Sequence, residues 1–194
     1  MRVAAFFVVV ALLSPGSAFA VKQEVLDEID LLKKQAAAGD VPAAIESARL
    51  IETWLLEEQA GGLSKVFTPL AGWELELLDS QAMGAAMFGG GISSSAKYSN
   101  GTESYEVTIL GNSPMFAMVS GVVSNAMLAS SSGAKIEKIG DMKASVRDQN
   151  GEVEVMVPFE GNTLVTTKGP NRENAIKITK NLGWDVLRPI VTSP

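Results

Sequence analysis

The sequence predicts an α+β fold, in which an antiparallel sheet of about six strands packs with helices and is preceded by an αα-hairpin. Apolar residues recur at helical spacing up to about residue 60, and the period changes to two from Gly72 onward. Two Asn-Gly pairs, at residues 100–101 and 150–151, each lie between alternating runs, which is the strongest short-range signal for a β-hairpin. We therefore predict three segments, which are residues 1–20, 21–62 and 63–194.

The first segment, residues 1–20, has the pattern of a secretory signal peptide. Arg2 supplies a positive charge, an apolar run extends from Val3 to Leu13, and Ala18-Phe19-Ala20 matches an A-x-A cleavage site. The run is shorter than the roughly 20 residues that a membrane span needs, and an N-terminal anchor helix is the alternative. Because the chain has no cysteine, acylation as a lipoprotein is excluded. We expect export to the periplasm, or else secretion, and no integral membrane segment after cleavage.

The second segment, residues 21–62, predicts two helices joined by a tight connection. Gly39 stands where a helix C-terminus favours glycine, and Asp40 with Pro42 suits the start of the second helix. The pair Gly61-Gly62 is expected to end that helix. Its predicted apolar stripe consists of Ala44, Ala48, Ile51 and Leu55. The hairpin resembles a single tetratricopeptide-type unit, which implies protein contact, and packing on the main domain is the alternative.

The third segment, residues 63–194, predicts the sheet. The predicted strands are residues 73–77, 92–99, 102–110, 136–148, 152–159 and 163–168. A two-residue turn at the first Asn-Gly would pair Ala96 with Tyr105. The same turn at the second would pair Arg147 with Glu154, leaving one charged and one apolar face on that hairpin.

Two helices are predicted within this domain. The first covers residues 114–128, is opened by Ser113-Pro114 and has the clearest amphipathic stripe in the chain. The stripe of this first helix consists of Met115, Met118, Val119, Val122, Val123 and Ala126. The second helix runs from Asn171 to Leu182 and turns Ala175 and Ile178 inward, and a short closing segment follows it.

The absence of both histidine and cysteine excludes most catalytic chemistry. No imidazole base, Ser-His-Asp triad or thiolate ligand is available. The carboxylate pairs Glu74/Glu76 and Glu152/Glu154 are the remaining acid–base candidates, and solvated strand faces are the favoured explanation for them. Ser94-x-x-Lys97 has the spacing of a Ser-Lys dyad but falls in a predicted strand. We therefore predict a protein that is not an enzyme, with no catalytic residues, no cofactor and no metal ligands.

Charge is distributed unevenly along the chain. The chain contains 22 acidic and 16 basic residues, and this excess of acidic residues argues against nucleic-acid binding. Between Ser80 and Ala134 the charged residues are Lys97, Glu103 and Glu106 alone, although a composition of 20% predicts about eleven there. Small side chains on the outer face of the 114–128 helix would allow another surface to approach. We predict an interaction surface for a protein partner, a lipid or a second copy at Ala117, Ser120, Gly121 and Ser124, with coverage by the chain itself as the alternative.

The element order of residues 65–190, with its second hairpin and the terminal helix Asn171 to Leu182, resembles the PsbP/Mog1-like superfamily. The resemblance implies an accessory or binding role, and no catalytic or ligand motif is carried over. We accordingly expect an exported, non-enzymatic accessory or binding protein that acts through protein contact. The alternatives are a carrier of an apolar or lipid-like ligand held between the sheet and the 114–128 helix, and a hydrolase that uses carboxylates.

Overall fold

A computed structural model describes residues 22–83 and 91–192 of the chain. The predicted signal peptide and the glycine-rich stretch at residues 84–90 lie outside the described residues. The described residues form a seven-stranded antiparallel sheet with strand order β1-β2-β3-β7-β6-β5-β4. Six helices accompany the sheet, and two of them precede it, so the predicted α+β class is confirmed.

The strands are β1 (Glu74–Met83), β2 (Gly91–Ser99), β3 (Ser104–Gly111), β4 (Ala134–Ile139), β5 (Met142–Gln149), β6 (Glu152–Phe159) and β7 (Thr163–Gly169). The helices are α1 (Gln23–Ala38), α2 (Val41–Leu63), α3 (Phe116–Ser124), α4 (Ala126–Ser131), α5 (Arg172–Asn181) and α6 (Trp184–Thr192). A 3-10 turn at Ser64–Val66 follows α2. The closing segment predicted after residue 182 is therefore a helix.

Helices α1 and α2 form the predicted hairpin. Gly39 ends α1 in the left-handed region at φ 77°, and the Asp40 carboxylate accepts a hydrogen bond from the Ala43 N–H at 3.3 Å. The expectation that Gly61-Gly62 would end α2 is wrong, since the helix includes both glycines and continues to Leu63. Tertiary packing outweighs the low helix propensity of glycine here, because Gly62 and Leu63 are both buried.

The second half of α2 packs on β1 and β2 and contributes Ala60 and Leu63 to the main core. The first half contacts α1 and leaves most of its apolar side chains in solvent. Of the predicted α2 stripe, Ile51 is buried, whereas Ala48 and Leu55 are exposed. The hairpin is therefore joined to the sheet domain through α2.

The main core lies on one face of the sheet, under α2, α5 and α6. It is formed by alternate residues of the strands, including Tyr98, Val107, Val155 and Val165, each with no more than a trace of exposure. Ala175 and Ile178 of α5 point into it, as their spacing predicts. The hydroxyl of Tyr98 donates a hydrogen bond to the Thr68 carbonyl at 3.0 Å, which satisfies the polar end of a buried side chain.

The opposite face of the sheet carries α3 and α4, which replace the single predicted 114–128 helix. Asn125 interrupts the segment with extended backbone, and its side chain accepts hydrogen bonds from the N–H groups of Met127 and Leu128. The predicted stripe is wrong in extent. Val119 and Val123 are buried, whereas Met115, Met118 and Ala126 are exposed, because a helix this short covers only part of the sheet.

The predicted register of the first hairpin is wrong by two residues. Ala96 pairs with Val107, and Tyr105 pairs with Tyr98. The connection contains four residues, because the Asn100 side chain accepts hydrogen bonds from the N–H groups of Thr102 and Glu103 and stabilises a wider turn. Asn-Gly thus marks the hairpin correctly but does not form a two-residue loop.

The second hairpin is confirmed, since Arg147 pairs with Glu154 across β5 and β6. The predicted strand 136–148 is wrong, because it consists of β4 and β5 joined by a tight turn at Gly140-Asp141. Gly140 adopts φ 59°, a conformation that glycine supplies without strain. This extra turn explains why the sheet has seven strands.

Candidate binding site

The open face of the sheet changes from charged to apolar along the central strands β3, β7 and β6. Glu106, Lys168 and Glu154 are register neighbours and form a charged row. Two residues further along β3, Thr108 lies opposite Thr166 of β7, and two residues beyond that, Leu110 lies opposite Leu164. Because side chains of one face repeat every two residues, these three rows share one surface.

Helix α3 lies over the apolar end of the open face. Val119 and Val123 pack against Met156 and Leu164 in a small core separate from the main one. The start of α3 is held in place by the Ser113 N–H, which donates to the Asn162 carbonyl at 2.9 Å. These contacts leave a groove beside the helix that opens toward the charged row.

The groove has a volume of about 290 Å³ and is bordered by all three rows together with Met115 and Met156. A second cleft of about 300 Å³ lies beyond its apolar end, between Leu110 and Pro114. The two clefts share Leu110 and Met115. Their volumes are at the lower end of the range of roughly 300–1,000 Å³ that is usual for small-molecule sites.

The ends of β2 and β3 approach closely at the second cleft. A Cβ atom on Gly91 would lie 2.7 Å from the Gly111 carbonyl oxygen, and one on Gly111 would lie 2.6 Å from Cγ1 of Ile92. Glycine is therefore required at both positions. Because the two strands lie so close together here, backbone atoms and apolar side chains border this cleft.

Charges on the open face alternate in sign across six neighbouring strands. The row consists of Glu76, Lys97, Glu106, Lys168, Glu154 and Arg147. The Glu154 carboxylate lies 3.3 Å from the Lys168 ammonium and 3.9 Å from the Arg147 guanidinium. Glu106 makes no ion pair with any residue between 22 and 83 or between 91 and 192. Lys97, the register neighbour of Glu106 on β2, makes no ion pair among the described residues either, but it does not border the groove. Among the charged side chains that border the groove, Glu106 is therefore the one left unpaired.

Two buried polar atoms lie beside the groove on β5. Ser145 Oγ and Arg147 Nε have no hydrogen-bond partner among the described residues. Ser145 pairs with Met156, which borders the groove, and Arg147 pairs with Glu154. Buried polar atoms are normally satisfied, so these two mark a place where the sheet face retains hydrogen-bonding capacity.

A second feature of this side of the molecule is its uncharged helical surface. The stretch from Val107 to Ala134 contains no Asp, Glu, Lys or Arg. Met118 is 58% exposed and Met127 is 80% exposed. We call this surface the α3–α4 face, and it consists of Met115, Ala117, Met118, Ser120, Gly121, Ser124, Met127 and Leu128.

The four residues of the predicted interaction surface lie on α3. Ala117 and Ser124 are exposed, and Ser120 and Gly121 are half-buried. A Cβ atom on Gly121 would have no described neighbour within 4 Å. The described part of the chain therefore leaves this side of α3 accessible.

The residues considered for catalysis are not brought together. Ser94 is buried while Lys97 is exposed on the opposite face of β2, so the Ser-x-x-Lys spacing forms no dyad. Glu74, Glu76 and Glu152 are exposed, and Glu154 is paired with two cations. Within the described ranges, no three carboxylates cluster in a way that could hold a metal ion.

The pKa shifts of the two tyrosines have structural causes. Burial, which disfavours the charged phenolate, raises the pKa of Tyr98 to about 12. Burial also raises the pKa of Tyr105, whose hydroxyl donates to Glu103 Oε2 at 2.9 Å. Both rings belong to the main core, away from the groove.

The sequence did not identify the groove residues as a site, although a signal for them is present. Glu106, Thr108 and Leu110 occur at alternate positions, and Leu164, Thr166 and Lys168 repeat that order in reverse. Reversed polarity patterns fit two antiparallel neighbours. Recognising this required the pairing of β3 with β7, which are far apart in the sequence.

No family model, curated protein or solved structure matches this chain. The resemblances to the PsbP/Mog1-like superfamily and to a tetratricopeptide-type unit therefore stay predictions. No helix within the described ranges combines the length and the apolar character that crossing a membrane requires.

Proposed function

We propose that this chain is an exported, non-enzymatic accessory protein that acts in the periplasm by binding a protein partner through the α3–α4 face. The observation that carries the proposal is the exposure of Met118 and Met127 on a surface without charged side chains. Apolar side chains in solvent contribute favourably when a partner covers them. Because no charge must be desolvated, that contribution is not offset as it would be on an ordinary surface.

The residue types on this face also suit protein contact. Methionine is flexible and polarisable, and it fits partner surfaces of irregular shape. Ala117 and Gly121 allow a partner backbone to approach α3 closely, and the hydroxyl groups of Ser120 and Ser124 can join hydrogen bonds at the border. An apolar partner segment matches this combination better than a charged one.

The direct test introduces charge on this face. We expect the double variant Ser120→Glu/Ser124→Glu to lose at least tenfold in affinity for the partner recovered from the periplasm of the native cells. Ser104→Glu is the matched control, since Ser104 is an exposed serine at the start of β3. Unchanged affinity of the double variant would disprove the proposal.

The same variants address a second copy of the chain as the partner. Light scattering coupled to gel filtration measures the mass of the wild-type protein and of the double variant. A wild-type dimer that the double variant converts to a monomer would assign the α3–α4 face to self-association. A monomer in both samples, together with partner binding that depends on the two serines, supports a separate partner.

A second candidate function is favoured by the groove. We infer a carrier role for a small ligand with an apolar part, held between the sheet and α3. The groove and its neighbouring cleft together accept a single short chain, which is smaller than a membrane lipid with two acyl chains. Native mass spectrometry of protein purified from its source tests this role, since a carrier retains a bound molecule and an empty spectrum contradicts it.

We assign no catalytic role to the carboxylates. Hydrolysis by a carboxylate pair needs an acid and a base that face one bound substrate. Glu152 and Glu154 lie at the same end of β6, but Glu154 is engaged by Lys168 and Arg147. A hydrolase would therefore have to break two ion pairs before this group became available.

A further inference from the structure

We propose that the groove beside α3 binds small amphipathic amines, with the ammonium group at Glu106 and the apolar chain directed toward Leu110 and Met115. This inference rests on the second candidate function, the carrier role, and specifies its ligand. It follows from the order of the three rows, from the charge that is left unpaired, and from the size of the two clefts.

The order of the rows fixes the orientation of the ligand. From Glu106 to Leu110 the open face passes from a carboxylate through the Thr108 hydroxyl to an aliphatic side chain. Four residues of a strand cover about 14 Å, so the distance suits a molecule with one polar end and one short chain. The apolar end continues into the second cleft, whose border includes the apolar side chains of Leu110, Pro114 and Met115.

The charges at the groove favour a cation over an anion. Lys168 is engaged by Glu154 at 3.3 Å, while the neighbouring Glu106 has no ion-pair partner among the described residues. An incoming carboxylate would have to compete with Glu154 for the lysine and would face Glu106 as well. An incoming ammonium gains a charge-assisted hydrogen bond to Glu106 and can donate another to the Thr166 hydroxyl.

The volumes of the two clefts limit the length and shape of the ligand's apolar chain. Each cleft holds about 300 Å³, and the passage between them is bordered by Leu110 and Met115. Met115 is 45% exposed and has a flexible thioether side chain, so it can move to admit a linear chain. A branched or polycyclic ligand would require α3 to shift, and the contacts of Val119 with the sheet oppose such a shift.

Three probes of the same length separate charge from apolar binding. We would measure the affinities of octylamine, octanol and octanoate by titration calorimetry at one ionic strength and neutral pH. We expect octylamine to bind about three- to fivefold tighter than octanol, which is the size of effect that an ion pair to an exposed carboxylate such as Glu106 supplies. Octanoate should bind more weakly than octanol.

Substitution of the carboxylate completes the test. Glu106→Gln should remove the preference for octylamine and leave octanol unchanged, whereas Glu76→Gln, on the same charged row but outside the groove, should alter neither. Equal binding of the three probes, or a preference for octanoate, would overturn the assignment of an amine while leaving the carrier role intact. Absence of binding by all three probes would refute the carrier role itself.

Discussion

The side-chain oxygen of Asn125 accepts a hydrogen bond from the backbone N–H of Met127 at 2.9 Å, and this contact separates α3 from α4. Without it, the amphipathic pattern of the segment would favour one continuous helix. The extended backbone of Asn125 ends α3, and Met127, in the first turn of α4, is 80% exposed. The α3–α4 face therefore depends on a helix cap.

Loss of this cap should lower stability. We expect Asn125→Ala to reduce the free energy of unfolding by about 1 kcal/mol, the usual contribution of an N-terminal cap. Asn125→Asp keeps an acceptor in the same place and should remain close to the wild type. Urea unfolding followed by circular dichroism measures both variants, and an alanine variant as stable as the wild type would show that the cap has no energetic role.

Gly121 gives a prediction in which stability and binding change in opposite directions. Since an added Cβ has open space and the backbone is helical, Gly121→Ala should raise the free energy of unfolding by about 0.5–1 kcal/mol. The same methyl group should weaken partner binding, because it prevents close approach to α3.

The control for this pair of measurements is Gly161→Ala. Gly161 has φ 63°, and a Cβ atom there would lie 2.1 Å from the Val191 carbonyl oxygen, so this variant should be destabilised. Partner binding that Gly121→Ala leaves unaltered would mean that the partner does not approach this part of the helix.

The raised pKa of Tyr98 predicts that the free energy of unfolding falls as the pH rises above 10. Its pKa is raised to about 12 in the folded protein from the ordinary value of 10.0, so the folded state keeps the proton longer than the unfolded state does. The corresponding stabilisation is complete below pH 10 and is lost as the pH rises to about 12. We expect the wild type to lose on the order of 2 kcal/mol more than Tyr98→Phe over this interval. Unfolding titrations at several pH values check this, and parallel curves for the two proteins would contradict it.

The ion pairs of Glu154 should contribute modestly. Glu154→Gln removes a carboxylate that is three-quarters buried and contacts two cations, and we expect a loss of about 1 kcal/mol. Glu152→Gln, two residues away on the same face and exposed, should change stability by less than about 0.5 kcal/mol. Chemical unfolding at low and high salt measures both, and equal effects of the two substitutions would show that the pairs at Glu154 carry no net stabilisation.

Local sequence signals predicted much of this fold, and their failures have identifiable causes. The Asn150-Gly151 hairpin and its pairing of Arg147 with Glu154 followed from turn chemistry alone. At Asn100 the same dipeptide failed to predict the register, because the asparagine side chain formed its own hydrogen bonds to the turn. The turn at Gly140-Asp141 was missed although its residue types are typical of a tight hairpin.

The site depends on long-range pairing, which a local pattern does not specify. β3 and β7 meet in the centre of the sheet although more than fifty residues separate them, and only then do Glu106 and Lys168 become neighbours. The accessible side of α3 could be inferred from the small and uncharged residues on it. The exposure of Met115 and Met118 could not be inferred in this way, because their spacing also fits a buried stripe. Whether these methionines are buried depends on the length of helix that lies over the sheet.

Photo-cross-linking would show whether a partner contacts the α3–α4 face. A photoreactive amino acid would replace Met118 or, in a second protein, Ser104, and each protein would be irradiated in the native cells. We expect a covalent adduct of one defined mass from position 118 and none from position 104. The absence of an adduct at position 118, or equal adducts from both positions, would contradict this expectation.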